Sequence, residues 1–151
     1  MSDPRSPRIP FNSLALGYGP MLPLVAGGIG AWVLPLFWAA FAVQAAILWA
    51  ALILVFIAGV RRGYGFGRPE ASTAAEIASM MVYFLLGLAA LVVGHAWLAL
   101  SMLMIGYALV ALLDRRAAVN GDAPLHFARL RPPQMLVGIV GLLALLLRVV
   151  A

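Results

Sequence analysis

The residues with the widest chemical repertoire are His95, His126, Gln44 and a handful of carboxylates, set among long apolar stretches. Two histidines facing each other at one depth could ligate a haem iron or, with further ligands, a zinc ion. Here His95 and His126 fall in successive polar breaks. If the stretch between them crosses a bilayer, a hydrocarbon core of about 30 Å separates them. They cannot then share a metal within one protomer, and His95 reads as an interfacial residue bonded to a carbonyl. There is no HExxH, GxSxG or Walker sequence. With no cysteine there is no thiolate nucleophile and no disulfide framework. The expectation is a protein without catalytic residues, metal or cofactor.

Among the carboxylates, Glu76 stands three residues after Thr73, the spacing of a helix capping box. Asp114 is more informative. It precedes Arg115 and Arg116 at the end of an apolar block, where a helix dipole disfavours an acid unless it is paired. Two readings stay open: a local ion pair with its neighbours, or an anchor for another subunit or for the loop of Arg129 and Arg131. Gln44 is the most polar residue well inside a block, with Ser79, Ser101, Tyr83 and Tyr107 weaker. An interhelical hydrogen bond, contributing about 1 kcal/mol in a membrane, is favoured there over a substrate contact. Gly63-Tyr64-Gly65-Phe66-Gly67 lacks the preceding strand and following Lys-Ser/Thr of a phosphate loop, and reads as a turn.

The elements that hold these residues follow from composition. Of 151 residues 65% are hydrophobic and 10% charged, against roughly a quarter charged in ordinary globular proteins. Five apolar blocks, at about 14–33, 36–60, 74–94, 97–113 and 134–151, are each close to the roughly 20 residues that cross a bilayer. Pro20 and Pro23 predict a kinked or late-starting first helix. Those prolines and Gly27-Gly28 suit a packed helix better than the apolar region of a signal peptide. The expected fold is an all-α, five-helix integral membrane bundle in a single domain, preceded by a cytoplasmic segment over residues 1–13.

Nine of the ten arginines lie on one side of these blocks. Arg5 and Arg8 precede the first, Arg61, Arg62 and Arg68 follow the second, and Arg115, Arg116, Arg129 and Arg131 follow the fourth. Arg148, near the C-terminus, is the exception. Cytoplasmic loops retain Lys and Arg, so the N-terminus is expected in the cytoplasm and the C-terminus in the periplasm of a bacterial inner membrane. Trp32, Trp38 and Trp97 fall at the arginine-free ends, as an aromatic belt would. The net charge of +5 is dispersed at block ends rather than gathered into a stripe, which argues against nucleic acid and for anionic headgroups. Arg61, Arg62, Asp114, Arg115, Arg116, Arg129 and Arg131 are therefore the candidate contacts to lipid or to a membrane-protein partner, which could be a second copy. Ala42, Ala46 and Ala50, Gly27 with Ala31, and Ala90 with Gly94 have the small-residue spacing of close helix contacts.

Several stretches together resemble a known family. These are Pro10, Leu14, Gly17 and Leu22-Pro23; Ile53-Leu54, Phe56, Gly59 and Gly63; Gly106, Leu112 and Asp114-Arg115-Arg116; and Leu130-Arg131 before the last block. The layout is similar to a family of small proteobacterial integral membrane proteins of unknown function, related to mitochondrial transmembrane protein sixty-nine. The likeness covers nearly the whole chain, and its most specific piece is the Asp-Arg-Arg after the fourth block. The family pattern has a His-Trp-Gly triplet where this chain has Arg61-Arg62-Gly63, so any role of that histidine is absent or altered here. The resemblance implies fold and location and no activity. Small size, no site chemistry and close-packing faces favour an accessory subunit or assembly factor of a larger complex. The alternative is a small oligomeric transporter or channel built around Gln44.

Overall fold

The computed structural model describes residues 11–64 and 73–151, and the described residues outside turns are helical. The segment before Phe11 and most of the glycine-rich loop, with Arg5, Arg8 and Arg68, lie outside them. Helix α1 (Phe11–Tyr18) leads through a 3-10 turn at Gly19–Met21 into α2 (Leu22–Val33). Then come α3 (Leu36–Gly63), α4 (Ala74–Val92), α5 (Ala96–Val119) and α6 (Phe127–Val150). Taking α1 and α2 as one interrupted span, five segments are long and apolar enough to cross a membrane.

The breaks have local causes. Pro20 and Pro23 stand in the first positions of the 3-10 turn and of α2, where a missing N–H is tolerated. The Pro20 carbonyl at this break accepts a bond from Trp49 Nε1 at 2.8 Å. The capping box at the start of α4 forms in full: Glu76 N donates to Thr73 Oγ1 at 3.2 Å, and Thr73 N donates to Glu76 Oε2 at 3.0 Å. Gly94 follows α4 with φ of +72°, the left-handed position that ends a helix and that side chains resist.

Two boundaries differ from the expected ones. The polar loop expected over 114–133 is shorter, because α5 continues to Val119 and α6 begins at Phe127. Helix α6 runs through Pro132 and Pro133 despite a typical cost of about 3 kcal/mol for an interior proline. The turn ahead of those prolines carries Leu130 and Arg131, both buried, and their packing holds it helical.

Spatially, α2, α3, α4, α5 and α6 form a ring closed by α6 against α2, with α3 also touching α5 across the middle. Apolar burial does not drive helices together in lipid, so close van der Waals fit must do it. Helices α2 and α6 meet backbone to backbone. A methyl group placed on Gly141 would stand 2.7 Å from the Leu24 carbonyl, and one on Gly28 would stand 3.1 Å from the Gly141 carbonyl oxygen. Gly27 faces Ala46 of α3, and Gly87 of α4 faces the Ala51 carbonyl of α3. At the same crossing Trp32 Nε1 donates to the Ala144 carbonyl at 2.9 Å and Arg148 Nε to the Ala31 carbonyl at 3.0 Å.

The ring is uneven in height. At 1.5 Å per residue, α3 is about 42 Å long and α4 about 28 Å. The first turns of α3 therefore extend beyond the α4–α5 turn, exposing Phe37, Trp38 and Phe41 in an edge-to-face row.

Because Gly141 abuts backbone rather than a movable side chain, Gly141→Ala is expected to destabilise by about 1–3 kcal/mol. Gly59→Ala, with open space around it, should leave stability unchanged or raise it slightly. Thermal unfolding of both variants in one detergent checks this. Equal midpoints for Gly141→Ala and wild type would rule the close crossing out.

Candidate functional site

The ion-pair layer forms where four helix ends meet. Arg61 ends α3, where the helix dipole favours a cation. Asp114 lies more than one turn before the end of α5, and Arg131 one turn into α6. They compensate one another: Arg131 Nε is 3.4 Å from Asp114 Oδ2, and Arg61 Nη1 is 3.6 Å from Asp114 Oδ1. All three are buried, Asp114 to 1% exposure. Both guanidinium groups thus lie beside the Asp114 carboxylate, and the Glu76 carboxylate is buried at the same end.

Helix α4 supplies the floor. Glu76, Ser79 and Tyr83 recur at three- and four-residue steps and form one buried stripe. Arg61 Nε donates to Ser79 Oγ at 3.0 Å, and Ser79 Oγ donates to the Glu76 carbonyl at 3.0 Å. The Tyr83 hydroxyl lies 3.3 Å from Asp114 Oδ1 and 3.5 Å from the Leu109 carbonyl, donating between them. Arg131 Nη1 donates to Gln134 Oε1 at 3.4 Å. Aromatic rings cover the layer: Arg131 lies 4.6 Å from the Phe127 ring centre, Arg61 lies 6.0 Å from that of Tyr64, and the two rings meet edge to face.

Donors outnumber acceptors here. Arg61 Nη1, Arg131 Nε and the Tyr64 hydroxyl are buried without a hydrogen bond among the described residues. Burial, aided by the Asp114 charge and opposed by Arg131 and Arg61, pushes the Tyr64 phenol up to about 12. It therefore keeps its proton at neutral pH. His126 sits at the same end with Nε2 3.4 Å from Ser13 Oγ. Burial and then the positive Arg131 hold its pKa below the usual 6.5.

Of the residues expected to contact partners or lipid, Arg61, Asp114 and Arg131 come together inside the protein. Arg115, Arg116 and Arg129 are exposed at the same end and Arg62 is half-buried. The carboxylate of Asp114 thus reaches across to α3 and α6 rather than to its sequence neighbours. Gln44 corrects an expectation. It makes no interhelical hydrogen bond among the described residues but is exposed, lining a small crevice with His95 at the α4–α5 turn. The overhang of α3 brings it level with that turn. His95 Nδ1 lies 3.3 Å from the Val93 carbonyl oxygen, and His126 is at the opposite end of α5. Among the described residues no group of three or more His, Cys, Asp or Glu is placed to hold a metal.

Sequence reasoning missed Gln134 and the grouping of Ser79 and Tyr83 with Asp114. The periodic stripe on α4 was the available signal for the latter. For Gln134 it was the three-residue step from Arg131.

Breaking a buried ion pair by removing one partner typically costs about 3–5 kcal/mol, whereas replacing all partners by apolar groups is often neutral. Asp114→Ala is therefore expected to lower the thermal midpoint sharply. The combined Arg61→Met, Asp114→Leu, Arg131→Met variant should recover most of the loss. Scanning fluorimetry of both in detergent checks this, and a triple variant as unstable as Asp114→Ala would refute the compensation. Comparison of the chain with protein-family models, with curated proteins and with solved structures returned no match.

Proposed function

We propose that this chain is a non-catalytic, multi-pass protein of a bacterial inner membrane that serves as an accessory subunit or assembly factor of a larger membrane complex. The carrying observation is where its buried polarity lies. Among the described residues, buried Arg61, Glu76, Ser79, Asp114, Arg131 and Gln134 all belong to one end of the ring. Further along, the Tyr107 hydroxyl is spent on the Ala50 carbonyl at 3.3 Å. A route for ions or protons needs polar side chains at successive depths. A single layer at one depth instead ties α3, α4, α5 and α6 into a rigid end, as suits a protein that presents surfaces to others. The likeness to small proteobacterial membrane proteins supports the membrane location only.

In this reading the arginine-rich end faces the cytoplasm, with Arg115, Arg116 and Arg129 at the anionic headgroups and Trp32, Trp38 and Trp97 at the periplasmic interface. Reporter fusions at the two termini are expected to report a cytoplasmic N-terminus and a periplasmic C-terminus. The reverse result would overturn the threading. Purification from native membranes in mild detergent, with a tag at the chromosomal locus, should recover one complex in constant ratio by mass spectrometry. Recovery of this chain alone would overturn the accessory role.

A further inference from the structure

Between α1, the 3-10 turn, α3 and α6 runs a groove of about 460 Å³, within the usual size of a small-molecule site. Buried Met21, Ile57 and Leu130 line its inner wall, and exposed Leu16, Leu52 and Phe56 form a rim open to the bilayer. Its polar lining is uneven. Asn12, Ser13, Arg131 and Gln134 gather at the arginine-rich end, while Trp49 and Pro20, joined by their hydrogen bond, close the other. Along α3 the groove extends from Trp49 to Val60, about 16 Å at 1.5 Å per residue. That is about half of a 30 Å hydrocarbon core, the depth of one leaflet.

We propose that the groove holds one acyl chain of an anionic glycerophospholipid, with the phosphate bound at Arg131. Length and chemistry both select this occupant. A chain lying from the polar end to Trp49 spans headgroup level to midplane, and its glycerol end meets the one buried guanidinium that lines the groove. Arg131 is 7% exposed. Its Nε faces Asp114 Oδ2 and its Nη1 donates to Gln134 Oε1, each at 3.4 Å, and the same side chain lines the groove. A phosphodiester matches the planar fork of an arginine. A zwitterionic lipid brings an ammonium group toward the same cation. A quinone brings no charge at all. The inference rests on the chain spanning a membrane and is independent of any accessory role.

Two variants separate head from tail. Arg131→Gln leaves Asp114 paired with Arg61. Leu16→Trp fills the rim from an exposed position and leaves the charges alone. The purified full chain is reconstituted in nanodiscs of equal parts phosphatidylglycerol and phosphatidylethanolamine, and retained lipid is read by native mass spectrometry. Wild type should retain phosphatidylglycerol about tenfold over phosphatidylethanolamine. Arg131→Gln should abolish that preference, and Leu16→Trp should reduce retention of both lipids several-fold. No preference in wild type, retention unmoved by Leu16→Trp, or a preference that survives Arg131→Gln overturns the proposal. So does a co-purified fatty acid or quinone in place of phospholipid. Should Arg131→Gln fail to fold, wild-type preference and the Leu16→Trp result still decide.

Discussion

One carboxylate holds this structure's polar end together. Asp114 is buried inside α5, and Arg131 of α6 supplies the opposite charge it needs there. Arg61 arrives from α3 and Tyr83 from α4, so four helices converge on a group of two oxygen atoms. Buried from solvent, such a group depends on its protein partners, and its geometry constrains every helix that reaches it. The helical start of α6 follows from this. Arg131 can meet Asp114 from the turn before Pro132 and Pro133 because that turn is helical and aims its side chain inward.

The opposite half of the bundle relies on absence of bulk. Where α2 crosses α6, Gly28 and Gly141 let backbone meet backbone. Trp32 and Arg148 then fasten the crossing by bonding across it to carbonyls. Electrostatics thus organises one end and close dispersion contact the other, with the Leu54, Leu103, Tyr107 and Met135 core between them. The groove lies on the side where the break at Pro20 offsets α1 from α2 and α1 packs only lightly on its neighbours.

Much of the architecture was legible in the sequence because bilayer thickness imposes a length that apolar runs must meet, and five runs meet it. The capping box at Thr73 and Glu76 was legible for a similar reason, being a contact between residues three apart. Asp114 stood out by its conflict with the helix dipole, and Arg131 was already among the alternatives for its partner. Which alternative holds depends on a fold in which α5 and α6 lie side by side, and local spacing carries no such information. Gln44 misled because depth was counted along its own helix. Its real level depends on how far α3 overshoots α4, a relation between two helices that neither one records. Pro132 and Pro133 lie inside α6, where a buried ion pair outweighs a local helix penalty.

That overshoot has a mechanical consequence. A cylinder of uniform height sits upright in lipid, but here one wall is about 42 Å and another about 28 Å. A hydrocarbon slab of about 30 Å matches the short wall and is exceeded by the long one. Lipid around the perimeter must then stretch on one side, or the whole molecule must tilt until the long helix is accommodated. The protein's rest angle becomes a function of membrane thickness. A thicker bilayer would stand it up, and a thinner one would lay it over and press the aromatic row of Phe37, Trp38 and Phe41 toward the headgroups.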